Sequence, residues 1–527
     1  MHHKARATTT SMGRINMDRV ILDFKDSLFR DIYSVRKDGV LVFKTFINGQ
    51  WIDSGDYLEV HSPIDGSLIA LVSKPSLELV HKTIDVMYNK GRWAVRDTPG
   101  DRRLDLLERL ADLLSHHRDD IVEALVIDSG KTYSQARGEV NASIERLRKA
   151  KMDLRRLIGE YIPGDWSQLT LESEGIVRKE PYGIVLAITP FNYPLFDTVN
   201  KFTYSFVAGN AVLLKPSSLD PIPVILFVKL LEEAGFPKEA FALLTIKGSE
   251  MKEILPDRRI GAISFTGSTE TGLEVMRTGG IKKYVLELGG GDPAIVLSDA
   301  DIEHAAGNIA VGITSYAGQR CDAIKLILVE KPIYEEFKNK LVEELGKYKV
   351  GDPRCPAYSV GPLITKYAVD NAMKAIEDAV NKGGKILFGG KRLGDTYMEP
   401  TLIELTDKSK LFKTKLFVDE VFAPVALITP IENVDEAIEI ANKRRYGLDA
   451  AIFGKDINKI RKLIRFLEVG AIYINEYPRH GIGYYPFGGR KDSGIGREGI
   501  GYSIEEVTAW KTIVYSYRGR GVWRYLL

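Results

Sequence analysis

The chain has 527 residues, 44% of them apolar and 27% charged, with 73 Lys and Arg against 71 Asp and Glu for a net charge of +2. That length exceeds one compact core and implies two or three lobes, and so near-neutral a balance leaves no electrostatic footprint for nucleic acid or an anionic membrane. Two cysteines, Cys321 and Cys355, exclude a disulfide scaffold and suit a reducing, cytoplasmic setting, and no apolar run is long enough to span a bilayer.

Residues 1–44 read as an N-terminal extension; the stretch from Met1 to Met17 is polar and lacks the apolar centre of a signal peptide. From about Phe43, short apolar runs alternate with helical patterns. Segment 102–127 spaces its apolar residues as a helix does. IVLAIT (184–189), AVLLK (211–215), AFALLTI (240–246) and AISF (262–265) read as buried strands, with a helical stretch at 223–235. After Gly289, Gly290 and Gly291 a second series runs from 294–300 to 471–475. It includes a strand at 325–330 and amphipathic helices at 334–347 and 434–445. Such alternation implies parallel βαβ units, so the expected architecture is α/β with two lobes of similar kind. Segment 160–181 and the tail beyond Ile500 fit neither series and read as an arm of paired strands for oligomer contacts.

Four local patterns carry chemistry. Cys321 lies in Gly318-Gln319-Arg320-Cys321-Asp322, between a helical pattern and a strand. The adjacent Arg320 favours a thiolate, although such a cysteine alone reads first as a small buried apolar residue; Cys355 has no partner motif and reads only that way. Glu287 precedes three glycines at a strand end, where burial raises a carboxyl towards a useful base; a solvated turn glutamate is the plain alternative. Gly267 and Ser268 break a strand into a helix start, whose free N–H groups attract phosphate oxygens, as does Lys215 at another strand's carboxyl end; an ordinary βα turn explains the first as well. In Thr189-Pro190-Phe191-Asn192-Tyr193-Pro194, two prolines stiffen a turn that presents the Asn192 amide to a developing oxyanion.

Together and in this order, PFNYP, AGNAVLLKPSS, FTGSTETG, LELGGGDPAIV, GQRC, DEVFAPV and PFGGRKDSGIGREG resemble the aldehyde dehydrogenase superfamily over residues from about 45 to 510. The resemblance implies a Rossmann-like dinucleotide-binding domain (45–159 and 182–288), a catalytic domain (289–480), an oligomerisation arm (160–181 and 500–527) and a homotetramer. It implies Cys321 as nucleophile, Asn192 in the oxyanion hole and Glu287 as the base for thioester hydrolysis. It places Lys215, Gly267, Ser268, Glu420 and Pro190 at the cofactor, and it implies no metal. Ser218 stands three residues after the lysine, where many NAD-preferring members carry a glutamate that would repel a 2′-phosphate, so NADP is expected, with NAD also accepted.

The FNYP turn and the Arg320–Cys321 pair look most like the non-phosphorylating glyceraldehyde-3-phosphate dehydrogenases. That likeness puts Tyr193 and Arg320 on a small phosphorylated aldehyde, D-glyceraldehyde 3-phosphate. The family's phosphate-binding arginine before PFGG falls at His480, with Arg479 one residue earlier; a further family arginine falls nearer Ala142, where Arg146, one turn on, is the substitute. Rival readings are succinate semialdehyde or another small anionic aldehyde, a coenzyme A-acylating methylmalonate-semialdehyde type, and a non-catalytic structural descendant of the fold. Retention of Glu287 favours water as acyl acceptor, and retention of both thiol and carboxylate speaks against a descendant.

Overall fold

A computed structural model describes residues 20–517. Residues 1–19 of the expected extension and 518–527 of the expected arm lie outside the described residues.

The first α/β body is built on a six-stranded sheet in the order Phe241–Leu243, Ala211–Lys215, Ile184–Ile188, Ala262–Thr266, Lys283–Glu287, Gly494–Ile495. The first five strands are parallel. Helices cover both faces, so the central strand is an unbroken apolar run: all five residues of Ile184–Ile188 are buried. From Ile184–Ile188 the chain steps outward twice, then returns to lay Ala262–Thr266 on the other side. Strand order therefore reverses between Ile184–Ile188 and Ala262–Thr266, and a crevice opens at their carboxyl ends, where such sheets hold ligands.

The second body carries a seven-stranded sheet ordered Lys385–Phe388, Thr401–Glu404, Val425–Ile431, Ile324–Glu330, Asp292–Val296, Asp449–Phe453, Ala471–Ile474. Only the edge strand Lys385–Phe388 runs antiparallel. Past this sheet the chain crosses back, and Gly494–Ile495 pairs antiparallel with Lys283–Glu287. Leu288 N donates to Ser493 O at 2.9 Å, so both bodies are stitched together beside Glu287. Segment 160–181 and the tail form one antiparallel sheet, Thr508–Ser516, Ser173–Pro181, Glu160–Ile162, with Tyr161, Trp166, Leu169 and Val514 exposed along it.

From Val20 onward the N-terminal segment packs on the first body. Tyr33–Val35 and Leu41–Phe43 join a four-stranded sheet, and Val20, Leu22, Phe24, Phe29, Ile32 and Phe43 are buried in the core of the first body. Each such side chain contributes about 1.5–3 kcal/mol on burial. Segment 102–127 is two helices, Gly100–His116 and Arg118–Ser129, broken at His117. The reason is tertiary: at the break Asp26 grips His117, and Asp120 accepts from the backbone N–H groups of Lys25 and Asp26.

Candidate active site

A cavity of about 730 Å³ fills the crevice at the sheet reversal. Pro190, Asn192, Lys215, Gly267, Ser268, Cys321 and Glu420 all line it. Ser268 caps the helix Thr269–Gly279, its side chain accepting from Thr271 N, so the amide-rich start of this helix meets the cavity. Lys215 donates to Pro216 O at 2.9 Å, and burial pushes its ammonium down to about 8. Glu420 is held by the Gly290 N–H at 2.9 Å; burial pushes its carboxyl up to about 7. Ser218 is the exception among the expected cofactor residues. Its hydroxyl donates to Ile246 O at 3.3 Å, and the neighbour Ser217 lines the cavity instead.

Cys321 is delivered by a strained turn. Tyr316, Ala317 and Gly318 follow one another with φ of 48°, 52° and 68°; the two non-glycine residues cost about 1–3 kcal/mol each in this region. The turn is over-determined by its anchors. Tyr316 donates to Ser129 O at 2.7 Å, Gln319 accepts from Ile364 N at 2.8 Å, and buried Lys325 donates to the carbonyls of Gly318 and Ala423. Gly318 is required by contact as well as by φ, since a Cβ there would overlap the Ala423 carbonyl.

A second cavity of about 320 Å³ meets the first at Asn192, Thr266 and Cys321. Glu287, Tyr193, Arg320, Arg479 and His480 line it too. Both carboxylate oxygens of Glu287 are buried without a hydrogen-bond partner. Burial, then the charge of Glu498, holds its carboxyl well above the ordinary range. Beneath it Lys201 and Tyr204 bind Glu498. Arg320 donates to Asp322 and to Pro478 O, each at 2.8 Å. Arg479 pairs with Glu476 at 2.6 Å at the exposed rim. His480 packs between Phe196 and Phe487 with Nε2 unpartnered, and burial holds its imidazole below the usual range.

The arginine next to the thiol does not act as the sequence suggested. Its charge is committed to Asp322, and the thiol faces carboxylates. Burial first, then Asp322 and Glu420, push the Cys321 thiol well above its ordinary range. Arg146 is not brought to the cavity either: it is fully buried, pairing with Asp153 at 2.8 Å and Asn200 at 2.7 Å.

Several lining residues escaped the sequence reading. Lys131 sits 4.2 Å from the centroid of the Tyr193 ring and pairs with Glu139, both fully buried. Glu139 also accepts from Leu195 N and Phe196 N at 3.0 Å, capping the helix that starts at Pro194. Removing one partner of such a buried pair costs about 3–5 kcal/mol. Lys131 follows a serine and a glycine in the sequence, a pattern that marks only a helix end.

A family model described as the aldehyde dehydrogenase family matches residues 51–513. A lactaldehyde dehydrogenase of Methanocaldococcus jannaschii is 36% identical over 476 residues, 89% of this chain and 100% of that protein. The crystal structure of the glyceraldehyde-3-phosphate dehydrogenase GapN of the same organism, complexed with NADP, superposes with a TM-score of 0.81 at 35% identity, covering 87% of this chain and 99% of that one. Aldehyde dehydrogenase 21 from Physcomitrella patens, in complex with the reaction product succinate, gives 0.86 at 30% identity, covering 91% and 99%. With a family match over most of its length and relatives above 30% identity along nearly their whole chains, this protein belongs to the aldehyde dehydrogenase family and is an oxidoreductase acting on aldehydes.

Proposed function

We propose that the chain oxidises D-glyceraldehyde 3-phosphate to 3-phosphoglycerate with NADP or NAD, through a Cys321 thioester that water hydrolyses, without inorganic phosphate. The observation that carries the reading is the meeting of two cavities at Cys321, Asn192 and Thr266, one sized for a dinucleotide and one for a small aldehyde.

The larger cavity fits the cofactor. Gly267, Ser268 and the start of helix Thr269–Gly279 suit a pyrophosphate, and Lys215 and Glu420 suit the two riboses. Carboxylates are absent from residues 215–218, and Lys215, Ser217 and Lys252 line the wall, which favours acceptance of a 2′-phosphate. The dinucleotide, when bound, supplies the two-electron acceptor for the hydride released from the aldehyde carbon.

The chain's own residues perform the rest. The Cys321 thiolate Sγ bonds to the aldehyde carbon, sending the carbonyl electron pair to oxygen. The Asn192 side-chain amide and the Cys321 N–H bind that oxyanion. After oxidation to the thioester, Glu287 takes a proton from water, the oxygen adds to the acyl carbon, and the C–S bond breaks to restore the sulfur. Tyr193, Arg320, Arg479 and His480 surround the substrate, with Arg479 assigned to its phosphate: its rim ion pair is exposed and exchanges readily. We further assign 45–159 with 182–288 to cofactor binding, 289–480 to catalysis and the arm sheet to a cytoplasmic homotetramer, supported by its exposed Tyr161, Trp166 and Leu169.

Oxidation of succinate semialdehyde or another small anionic aldehyde is the second reading. It is favoured by the prior pairing of Arg320 with Asp322 and Lys131 with Glu139, which leaves Arg479 as the cation for a singly charged carboxylate. A panel of aldehydes assayed with NADP and NAD, scored for acid formed without phosphate or coenzyme A, separates them. The first reading requires the highest kcat/KM on glyceraldehyde 3-phosphate; equal or better use of succinate semialdehyde overturns it, and acyl-coenzyme A formed when coenzyme A is then added overturns both.

A further inference from the structure

Two buried carboxyls that the mechanism does not use interlock behind the site. Asp128 lies in the last turn of helix Arg118–Ser129, and Asp220 precedes helix Ile222–Ala234; neither has exposed surface. Their bonds are reciprocal. Asp128 Oδ2 accepts from Ile222 N at 2.9 Å, two residues past Asp220, and Asp220 Oδ2 accepts from Ser129 Oγ at 2.8 Å, the residue after Asp128. One oxygen on each, Oδ1 in both, is buried without a partner. Two adjacent carboxylates in a dry interior do not both ionise. A proton retained on one of the pair removes one charge and turns one orphaned acceptor into a donor.

The two environments differ. Burial, and at Asp220 then the charge of Asp128, pushes both carboxyls well above the ordinary range. Ser129, Ser217 and Lys131 favour charge on Asp220, whereas Asp128 has only the Ile222 amide.

We propose that Asp128 is a neutral carboxylic acid donating from Oδ1 to an ionised Asp220, and that this pair is a positioning device shared by both cavities. Its reach follows from its neighbours. Ser217 and Leu219, flanking the stretch that ends at Asp220, line the larger cavity. The carbonyl of Ser129 accepts from Tyr316 Oη at 2.7 Å, and Tyr316 lines the smaller cavity and opens the strained turn that delivers Cys321. A proton shared at one point thus holds a wall of one cavity and the nucleophile's loop in the other.

The test compares Asp128→Asn with Asp128→Ala in the full chain. Asn keeps the shape and still presents a donor to Asp220. The infrared difference spectrum between wild type and Asp128→Asn at neutral pH is expected to show loss of one carboxylic-acid carbonyl stretch. The Asn variant should alkylate at Cys321 at the wild-type rate, and the Ala variant should change that rate and raise the KM for NADP by roughly tenfold, the scale of orphaning one buried oxygen. No acid band lost on Asp128→Asn, or equal damage in the Asn and Ala variants, overturns the proposal. If the Ala variant does not fold, the spectrum of the Asn variant decides alone. The KM readout rests on the proposed function; spectrum and alkylation need neither cofactor nor aldehyde, so a wrong substrate would leave them intact.

Discussion

Gly290 presses its backbone against Cys321: a Cβ on this glycine would overlap the Cys321 carbonyl oxygen, while its N–H donates to Glu420 Oε1 at 2.9 Å. The loop of Cys321 and the loop behind Glu287 are therefore in direct contact. Gly290→Ala is expected to push the cysteine loop aside. Displacements of about 1 Å cost on the order of 100-fold in rate, so kcat should fall by about that factor while the thermal unfolding temperature changes little. Steady-state kinetics beside calorimetry checks this; an unchanged kcat would show that the contact relaxes without moving the sulfur.

The thiol's environment makes an opposite-signed prediction. Burial, then Asp322, keeps Cys321 protonated through neutral pH, so its alkylation should rise with pH beyond the range of an ordinary thiol. Asp322→Asn removes the largest opposing charge and frees the Arg320 guanidinium, now bonded to Asp322 at 2.8 Å. Thiolate should become more abundant, and iodoacetamide labelling at neutral pH should quicken by roughly severalfold. Slower labelling would mean that Arg320 leaves the thiol once unpaired.

How much was legible follows the physics of each signal. Strands such as Ile184–Ile188 declared themselves because burial on both faces demands unbroken apolar runs. Cys321, Glu287 and Asn192 stood in short motifs whose backbone geometry fixes the sequence, and the fold brings all three to one cavity. Pairings were not legible. Arg320 reads as a cation beside a thiol, yet Asp322 spends its charge; Arg146 reads as a substitute ligand, yet Asp153 and Asn200 hold it in the core. Lys131 and Glu139 are eight residues apart in sequence and meet only because a helix turns between them. The core role of Phe24, Phe29 and Phe43 was hidden because the polar residues among them break any period.

In the proposed mechanism Glu287 separates the two halves of the reaction. Burial, then Glu498, holds its carboxyl well above the ordinary carboxylate range. A base with a raised pKa gains activity as pH rises through that value and loses it as pH falls, so thioester hydrolysis should keep accelerating with pH beyond the range in which an ordinary carboxylate has finished titrating. Glu287→Gln should preserve a stoichiometric burst of reduced cofactor while slowing later turnovers by about 10²–10⁴-fold. Rapid-mixing absorbance reads both phases. Loss of the burst in equal measure would make Glu287 necessary for attack rather than hydrolysis.

Arg479 is the remaining lever, because it is the rim cation whose partner is replaceable. The Lys131–Glu139 and Arg320–Asp322 pairs are buried, with side-chain exposure of at most 5%, whereas Arg479 and Glu476 are 57% and 39% exposed. An exposed pair is worth at most about 1 kcal/mol, so a phosphate offering bidentate acceptors displaces Glu476 at little cost. Arg479→Ala should therefore raise KM for glyceraldehyde 3-phosphate by roughly tenfold, on the scale of one lost charge-assisted contact, with kcat nearly unchanged. For a neutral aldehyde of similar size neither constant should move, because the arginine is then idle beside Glu476. A fall in kcat on both aldehydes would instead assign Arg479 to holding the loop that carries Pro478, whose carbonyl binds Arg320 at 2.8 Å, and the phosphate would need another partner.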